Sequence, residues 1–164
     1  LLRLLRTPGA TTRGSAAASE VSKRRGADCP WADGTLGEVL LTPTRLYVKP
    51  ALEAVRAGGV HALAHITGGG LTENLPRVLP DDLGADINLD AWDLPGVFKW
   101  MAQIGDMSQA EMLKTFNCGV GMILVVAADQ AEALQKLLSD AGETVYPMGH
   151  VTTAAGVDYT GNLQ

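Results

Sequence analysis

Cysteine is scarce in this chain, which has only Cys29 and Cys118 among its 164 residues. Two cysteines so far apart exclude a disulfide-rich secreted scaffold, and they do not have the spacing of a zinc site. We therefore expect free thiols, an intracellular and cytoplasmic protein, and no metal site built on cysteine.

Long apolar runs are also missing. No stretch approaches the roughly 18–20 residues that a membrane-spanning helix needs, and arginines interrupt the leucines of residues 1–6, which are too short for a signal sequence. Aromatic residues make up only 5% of the chain, so the interleaved aromatic and basic pattern of a nucleic-acid surface is not present. The sequence predicts neither a membrane nor a nucleic-acid partner.

Charge is distributed unevenly along the chain. Residues 1–28 carry a net charge of +4, whereas residues 29–164 carry −9. Residues 1–28 also lack a sustained apolar period and contain several turn-forming Pro and Gly residues. We therefore predict a disordered arm over 1–28, followed by one domain over 29–164.

Apolar periodicity in the second region predicts an alternation of strands and helices. Thr42 and Pro43 predict a helix start, and Pro50 predicts a break within that helix. The further predicted helices cover residues 50–57, 71–79, 95–104, 108–116 and 128–141, and the predicted strands cover 60–66, 85–89, 118–127 and 143–151. The nearly unbroken apolar run 118–127 indicates a central strand buried on both faces. The sequence thus predicts a layered α/β domain, a mixed sheet with helices packed on it.

The stretch AHITGGGLTENLP, residues 64–76, places three consecutive glycines between a predicted strand and a predicted helix. Such a loop presents backbone N–H groups and the positive end of a helix dipole, which together suit an anion. A tight turn without any ligand explains the same glycines, because a glycine motif alone is a weak signal.

Three blocks of the sequence resemble the C-terminal domain of the aminoimidazole ribonucleotide (AIR) synthetase family, the phosphoribosylformylglycinamidine cyclo-ligases. They are residues 40–50 (LLTPTRLYVKP), 61–80 (HALAHITGGGLTENLPRVLP) and 112–122 (MLKTFNCGVGM). They follow the order and spacing of the family, and the resemblance extends over about residues 35–151. The resemblance implies an ATP- and Mg²⁺-dependent enzyme of purine biosynthesis that closes the imidazole ring of its substrate, formylglycinamidine ribonucleotide, and forms a homodimer at full length.

The resemblance also implies roles for individual residues. His65 is the candidate for moving a proton, and the candidates for binding substrate or phosphate are Thr67, Gly68, Gly69, Gly70, Asn74 and Asn117. Each has a purely structural alternative, since a histidine can end a strand and a threonine or asparagine can hold a loop through its backbone. No metal ligand is assigned.

The resemblance does not extend to residues 1–28, where the family carries a His-Ser-Asn-Gly-Tyr segment. Our hypothesis is that a reading-frame error or a fragment end produces this mismatch, and translation of the parent DNA in the other two frames would test it. The family's N-terminal domain, which supplies much of the ATP and metal binding, is not among these 164 residues. We therefore expect this chain by itself to be inactive.

The sequence is also compatible with two other functions. One is another ATP-using member of the superfamily, of the formylglycinamidine synthetase, selenophosphate synthetase, thiamine-phosphate kinase or hydrogenase-maturation type. The other is a non-catalytic module that binds a phosphorylated ligand.

Overall fold

The computed structural model describes residues 26–164, which form a mixed α/β structure, as predicted. These residues belong to two compact units, one of residues 26–44 and Pro95–Ser108, the other of Arg45–Leu94 and Gln109–Gln164. The predicted disordered arm lies outside the described residues, apart from its last three. Within the described part of the chain, no helix has the length and apolar character needed to cross a membrane.

The first unit contains helices α1 (Leu36–Leu40) and α4 (Gly96–Gly105). A capping box starts α1: the Glu38 N–H donates to the Thr35 hydroxyl, and the Thr35 N–H donates to the Glu38 carboxylate at 2.9 Å. The predicted helix start at Thr42 and Pro43 is wrong, because α1 has already ended and residues 42–47 are irregular. The rings of Trp31 and Trp100 pack with centroids 5.2 Å apart.

The second unit carries all the strands of the described chain. Its elements are α2 (Val48–Ala57), β1 (Val60–His65), α3 (Gly70–Asn74), β2 (Gly84–Asn88), α5 (Gln109–Thr115), β3 (Met122–Val126), α6 (Ala131–Asp140), β4 (Gly149–Thr152) and β5 (Gly156–Thr160). The break that was predicted at Pro50 is not observed, and α2 continues through this residue. Pro50 occupies the first turn, where a missing N–H leaves no helical hydrogen bond unmade.

These strands form two separate sheets. Strands β1 and β3 pair antiparallel, with His65 opposite Met122. The other sheet has the order β4-β2-β5, with β2 antiparallel to β4 and parallel to β5. The mixed sheet predicted from the sequence is therefore present, but in addition to an antiparallel pair.

The prediction that residues 118–127 form one central, doubly covered strand is wrong. The first part of the run is a turn in which Cys118 and Gly119 take positive φ angles of 49° and 95°. Only residues 122–126 form a strand, in a sheet of two strands, and Ile123 alone among them is buried. The apolar composition reflects a buried turn followed by a half-buried strand.

Two groups of apolar side chains form the core of the second unit. Helices α2 and α6 pack together through buried Ala54, Leu134 and Leu138. The most deeply buried side chains elsewhere in the unit are those of Ile66, Leu71, Leu75, Leu89, Met112 and Cys118. Ile66 and Leu71 flank the three glycines, so the core holds both ends of that loop.

Candidate functional site

The glycine loop, residues 67–70, joins the end of β1 to the start of α3. Gly69 and Gly70 have φ angles of 100° and 60°, in the left-handed region that side chains disfavour. Gly68 has no such constraint, and a Cβ atom built on it would meet nothing within 4 Å. The backbone therefore requires glycine at 69 and 70, whereas Gly68 is open to solvent.

Gly70 is where the loop packs most closely against the rest of the unit. A Cβ atom there would collide with the backbone carbonyl oxygens of Leu113, in the last turn of α5, and Phe116, just after this helix. Two residues later, the Thr72 hydroxyl donates to the Leu113 carbonyl at 3.3 Å and lies 2.9 Å from the Tyr159 hydroxyl of β5. The start of α3 is thus fastened to both α5 and β5.

The buried Asn74 side chain, only 6% exposed, holds the loop together from inside. Its Nδ2 group lies 3.3, 3.2 and 2.8 Å from the carbonyl oxygens of Thr67, Gly68 and Gly70, and its Oδ1 accepts from Arg77 at 3.4 Å. With its amide engaged in this way, Asn74 positions the loop.

The N–H groups of the loop are less engaged than its carbonyls. The Gly70 N–H donates to the Thr67 carbonyl at 3.0 Å. The N–H groups of Gly68 and Gly69 donate to no backbone carbonyl among the described residues, so a ligand would not have to displace such a bond. Inward-bonded carbonyls and available N–H groups are the arrangement that an anionic oxygen needs.

A second loop, residues 117–121, lies directly beside the first. The Ile66 N–H donates to the Gly121 carbonyl at 2.9 Å, which ties the end of β1 to this loop. Asn117 closes it, since its Oδ1 accepts from the Gly119 N–H at 3.1 Å. The structure thus brings together the blocks 61–80 and 112–122, which are separated in the sequence by residues 81–111, and the Asn117 carbonyl oxygen is bonded within its own loop.

His65 and Thr67 stand at the mouth of the glycine loop, and both are exposed. The His65 ring meets the Tyr47 ring edge-on, with centroids 6.2 Å apart and planes at 65°. The other two histidines lie away from this point: His61 is exposed further back on β1, and His150 on β4 lies 3.6 Å from Asp86.

A cavity of about 1060 Å³ opens between β3, α6 and the segment 143–151. None of the predicted site residues lines it. Its wall includes Tyr47, Gly119 and Gly121, so the second loop and the aromatic neighbour of His65 border both regions.

Sequence reasoning missed two residues of this region. Tyr47 was overlooked because its contact with His65 crosses eighteen residues of chain. Cys118 supports the second loop: its backbone carbonyl accepts from the Trp92 indole N–H at 2.9 Å, and burial raises the pKa of its thiol to about 12. A thiol that stays protonated is a poor nucleophile, so Cys118 is a packing residue. Its neighbouring glycines were the only signal for it.

A metal site is not evident in the part of the chain that the structure describes. No group of three or more His, Cys, Asp or Glu side chains in residues 26–164 is placed to hold a metal ion.

Comparison with protein families gives a match that spans nearly the whole chain. Residues 2–161 match the family described as AIR synthase related protein, C-terminal domain. The match includes both loops of the candidate site and begins well before the stretch on which the sequence resemblance rests. The chain therefore belongs to the AIR synthase related family, whose C-terminal domain it represents.

Proposed function

We propose that this chain is the C-terminal part of a phosphoribosylformylglycinamidine cyclo-ligase, the cytoplasmic enzyme that closes the imidazole ring in de novo purine biosynthesis. The AIR synthase related family comprises ATP-using enzymes, and the proposal narrows that membership to one reaction. The main observation in support is that two of the sequence blocks that resemble the cyclo-ligase family are in contact. The Ile66 N–H donates to the Gly121 carbonyl, and Gly70 packs against the end of α5.

In the proposed reaction, ATP phosphorylates the formamide oxygen of formylglycinamidine ribonucleotide, the amidine nitrogen attacks the activated carbon, and phosphate leaves. The nitrogen must lose a proton as the ring closes. We assign this step to His65; its exposed ring at the mouth of the loop supports the assignment, and histidine is the usual side chain for proton transfer.

The glycine loop would bind a phosphate oxygen of the substrate. The N–H groups of Gly68 and Gly69 are the donors, and the exposed Thr67 hydroxyl is a third. Asn74 and Asn117 contribute indirectly, because each fixes the loop that it is bonded to. Preorganised donors of this kind are often the largest single contribution to catalysis.

The resemblance implies that Mg²⁺ and most of the ATP contacts would come from another part of the enzyme, its N-terminal domain. The proposal therefore requires an ATP-binding half, and it includes the family's homodimer, without a nucleic-acid or membrane partner.

An activity assay with a separate ATP-binding half tests this proposal. The purified chain is given ATP and formylglycinamidine ribonucleotide, alone and with the N-terminal half of an AIR synthetase. We expect ring product only in the mixture. Turnover by the chain alone at a typical enzymatic rate of about 1–10³ s⁻¹ would overturn the requirement for a second half.

The matched variants are His65→Ala and His61→Ala, two exposed histidines of the same strand. We expect His65→Ala to lower kcat in the mixture by about 10²–10⁴ and His61→Ala to leave it unchanged. Equal rates for the two variants would remove His65 from the chemistry. Product from glutamine, selenide or thiamine monophosphate instead of the ribonucleotide would indicate another member of the superfamily. A mixture that makes no product and binds no ribonucleotide would indicate a different kind of module.

A further inference from the structure

Tyr47 is an inward-facing residue in an otherwise exposed segment. Its neighbours Leu46 and Val48 are 82% and 66% exposed, whereas the Tyr47 side chain is half-buried. It also begins α2, since its carbonyl accepts the Ala51 N–H at 3.0 Å. The first hydrogen bond of α2 therefore fixes the backbone that carries the Tyr47 ring.

The ring packs against the place where the end of β1 meets the second loop. One edge contact is with His65, the last residue of β1. Its hydroxyl end lies so close to Gly121 that a Cβ atom on this glycine would collide with it. The Gly121 carbonyl in turn accepts the Ile66 N–H. The glycine against which the Tyr47 ring packs is therefore hydrogen-bonded to the residue next to His65.

Arg45 fixes the approach to Tyr47 from the other side. Its Nε donates to the Glu143 carboxylate at 2.7 Å, and its Nη2 donates to the Gly142 carbonyl at 2.7 Å. This anchors the irregular segment just before Tyr47 to the end of α6. Burial raises the pKa of the Tyr47 phenol, so the ring that faces His65 is neutral.

We propose that Tyr47 is a positioning residue for His65: its ring, seated on Gly121, restricts the exposed imidazole to one orientation at the mouth of the glycine loop. An exposed side chain at a strand end otherwise samples several staggered rotamers. Proton transfer requires the acceptor nitrogen within about 2.6–3.2 Å of its partner, so an imidazole held in one orientation is better suited to it than a mobile one. The role of Tyr47 in catalysis rests on the proposed function, but its hold on the His65 ring does not.

The alternative is that Tyr47 only fills space, as one wall of the 1060 Å³ cavity. In that case its replacement would alter stability without changing the orientation of His65. Tyr146 is the matched control, because it lines the same cavity, is 40% exposed and has no ring contact with His65.

The experiment measures the rotamer of His65 by NMR in the full 164-residue chain, with no nucleotide or substrate. Three-bond couplings across Cα–Cβ report χ1 directly and are insensitive to the ring currents that a lost tyrosine would change. The chain has three histidines, so His65→Gln assigns the signal, and His61 and His150 serve as internal references. All variants are measured at one and the same mildly alkaline pH.

We expect couplings of a single rotamer for His65 in the wild-type chain and in Tyr47→Phe, which keeps the ring. Tyr47→Leu removes the ring and Gly121→Ala unseats it, so both should give averaged couplings at His65 alone. Tyr146→Leu should leave all three histidines unchanged.

Averaged couplings in the wild type, or an unchanged rotamer in a folded Tyr47→Leu or Gly121→Ala chain, would overturn the proposal. So would an equal change at all three histidines, which would indicate general loosening. If Tyr47→Leu does not fold, Gly121→Ala decides the matter, since it leaves both aromatic rings in the chain. Because no ligand is used, failure here leaves the cyclo-ligase assay untouched, and failure of that assay leaves this result standing.

Discussion

The glycine loop and the 117–121 loop share two structural features but differ in how their hydrogen-bonding groups are used. Each passes through left-handed backbone, at Gly69 and Gly70 in the first and at Cys118 and Gly119 in the second. Each is closed by an asparagine. Asn74 is buried and shares the two hydrogens of its amide nitrogen among three nearby carbonyls, whereas Asn117 is half-buried and accepts one N–H. The first loop thus bonds its carbonyls inward and leaves N–H groups available, and the second serves as its support.

The largest expected effect of a single substitution in these loops is that of Gly70→Ala. The new Cβ would meet two backbone carbonyl oxygens that cannot swing aside, and the residue would also have to hold a positive φ. We expect a loss of about 3 kcal/mol in the free energy of unfolding, the upper end for overpacking. Urea titration measures it, and a loss below about 0.5 kcal/mol would show that the loop is free to move away from α5.

Replacements of Asn74 test whether this asparagine holds the loop as a donor. Asn74→Ala should cost about 1–3 kcal/mol, because buried carbonyls lose their partner. Asn74→Asp should cost more than Asn74→Ala, since an ionised carboxylate only accepts hydrogen bonds and would face three carbonyl oxygens. Chemical denaturation at neutral pH gives the order, and the reverse order would contradict the donor role.

Replacements of Asn117 should show the opposite preference. Its Oδ1 accepts from the Gly119 N–H, a role that a carboxylate also fills, so Asn117→Asp should be close to neutral. Asn117→Ala should cost about 0.5–1.5 kcal/mol. The same denaturation series measures both, and a larger cost for aspartate than for alanine would mean that the two asparagines are not the contrasting pair described here.

Gly68→Ala should have the smallest effect. Nothing lies within 4 Å of the added Cβ, and the φ angle of Gly68 is not in the left-handed region. We expect the free energy of unfolding to change by less than about 0.5 kcal/mol. A clear loss in thermal or urea unfolding would remove the distinction between Gly68 and Gly70.

The sequence predicted those elements in which apolar period and length agree. Strand β1 and helix α6 were expected, and the structure places them at Val60–His65 and Ala131–Asp140, the latter after a 3₁₀ turn over Ala128–Gln130. The same reasoning placed β2 nearly correctly. Helix α1 was missed although Thr35 and Glu38 have capping-box spacing, because an apolar stretch of five residues has too little periodicity to identify.

Predictions that depended on long-range packing were less successful. The run 118–127 is as apolar as a central strand, yet Cys118 and Gly119 turn the chain before β3 begins. Strand β5 was missed because a five-residue stretch that begins with a glycine and is followed by another has no core pattern of its own, and its pairing with β2 is not visible in the sequence. For the site, the sequence indicated the glycine loop, but the contact between Tyr47 and His65 depends on where α2 begins, which no local pattern specifies.

In the proposed function, the glycine loop offers the N–H groups of Gly68 and Gly69 to an anionic oxygen beside His65. Amide chemical shifts of the isotope-labelled chain, titrated with formylglycinamidine ribonucleotide and separately with inorganic phosphate, test this role. We predict saturable shifts at Gly68 and Gly69 that exceed those at Gly119 and Gly121, with the ribonucleotide saturating at lower concentration than phosphate. Absence of shifts at Gly68 and Gly69 with both compounds, or equal small shifts over the whole chain, would contradict the claim.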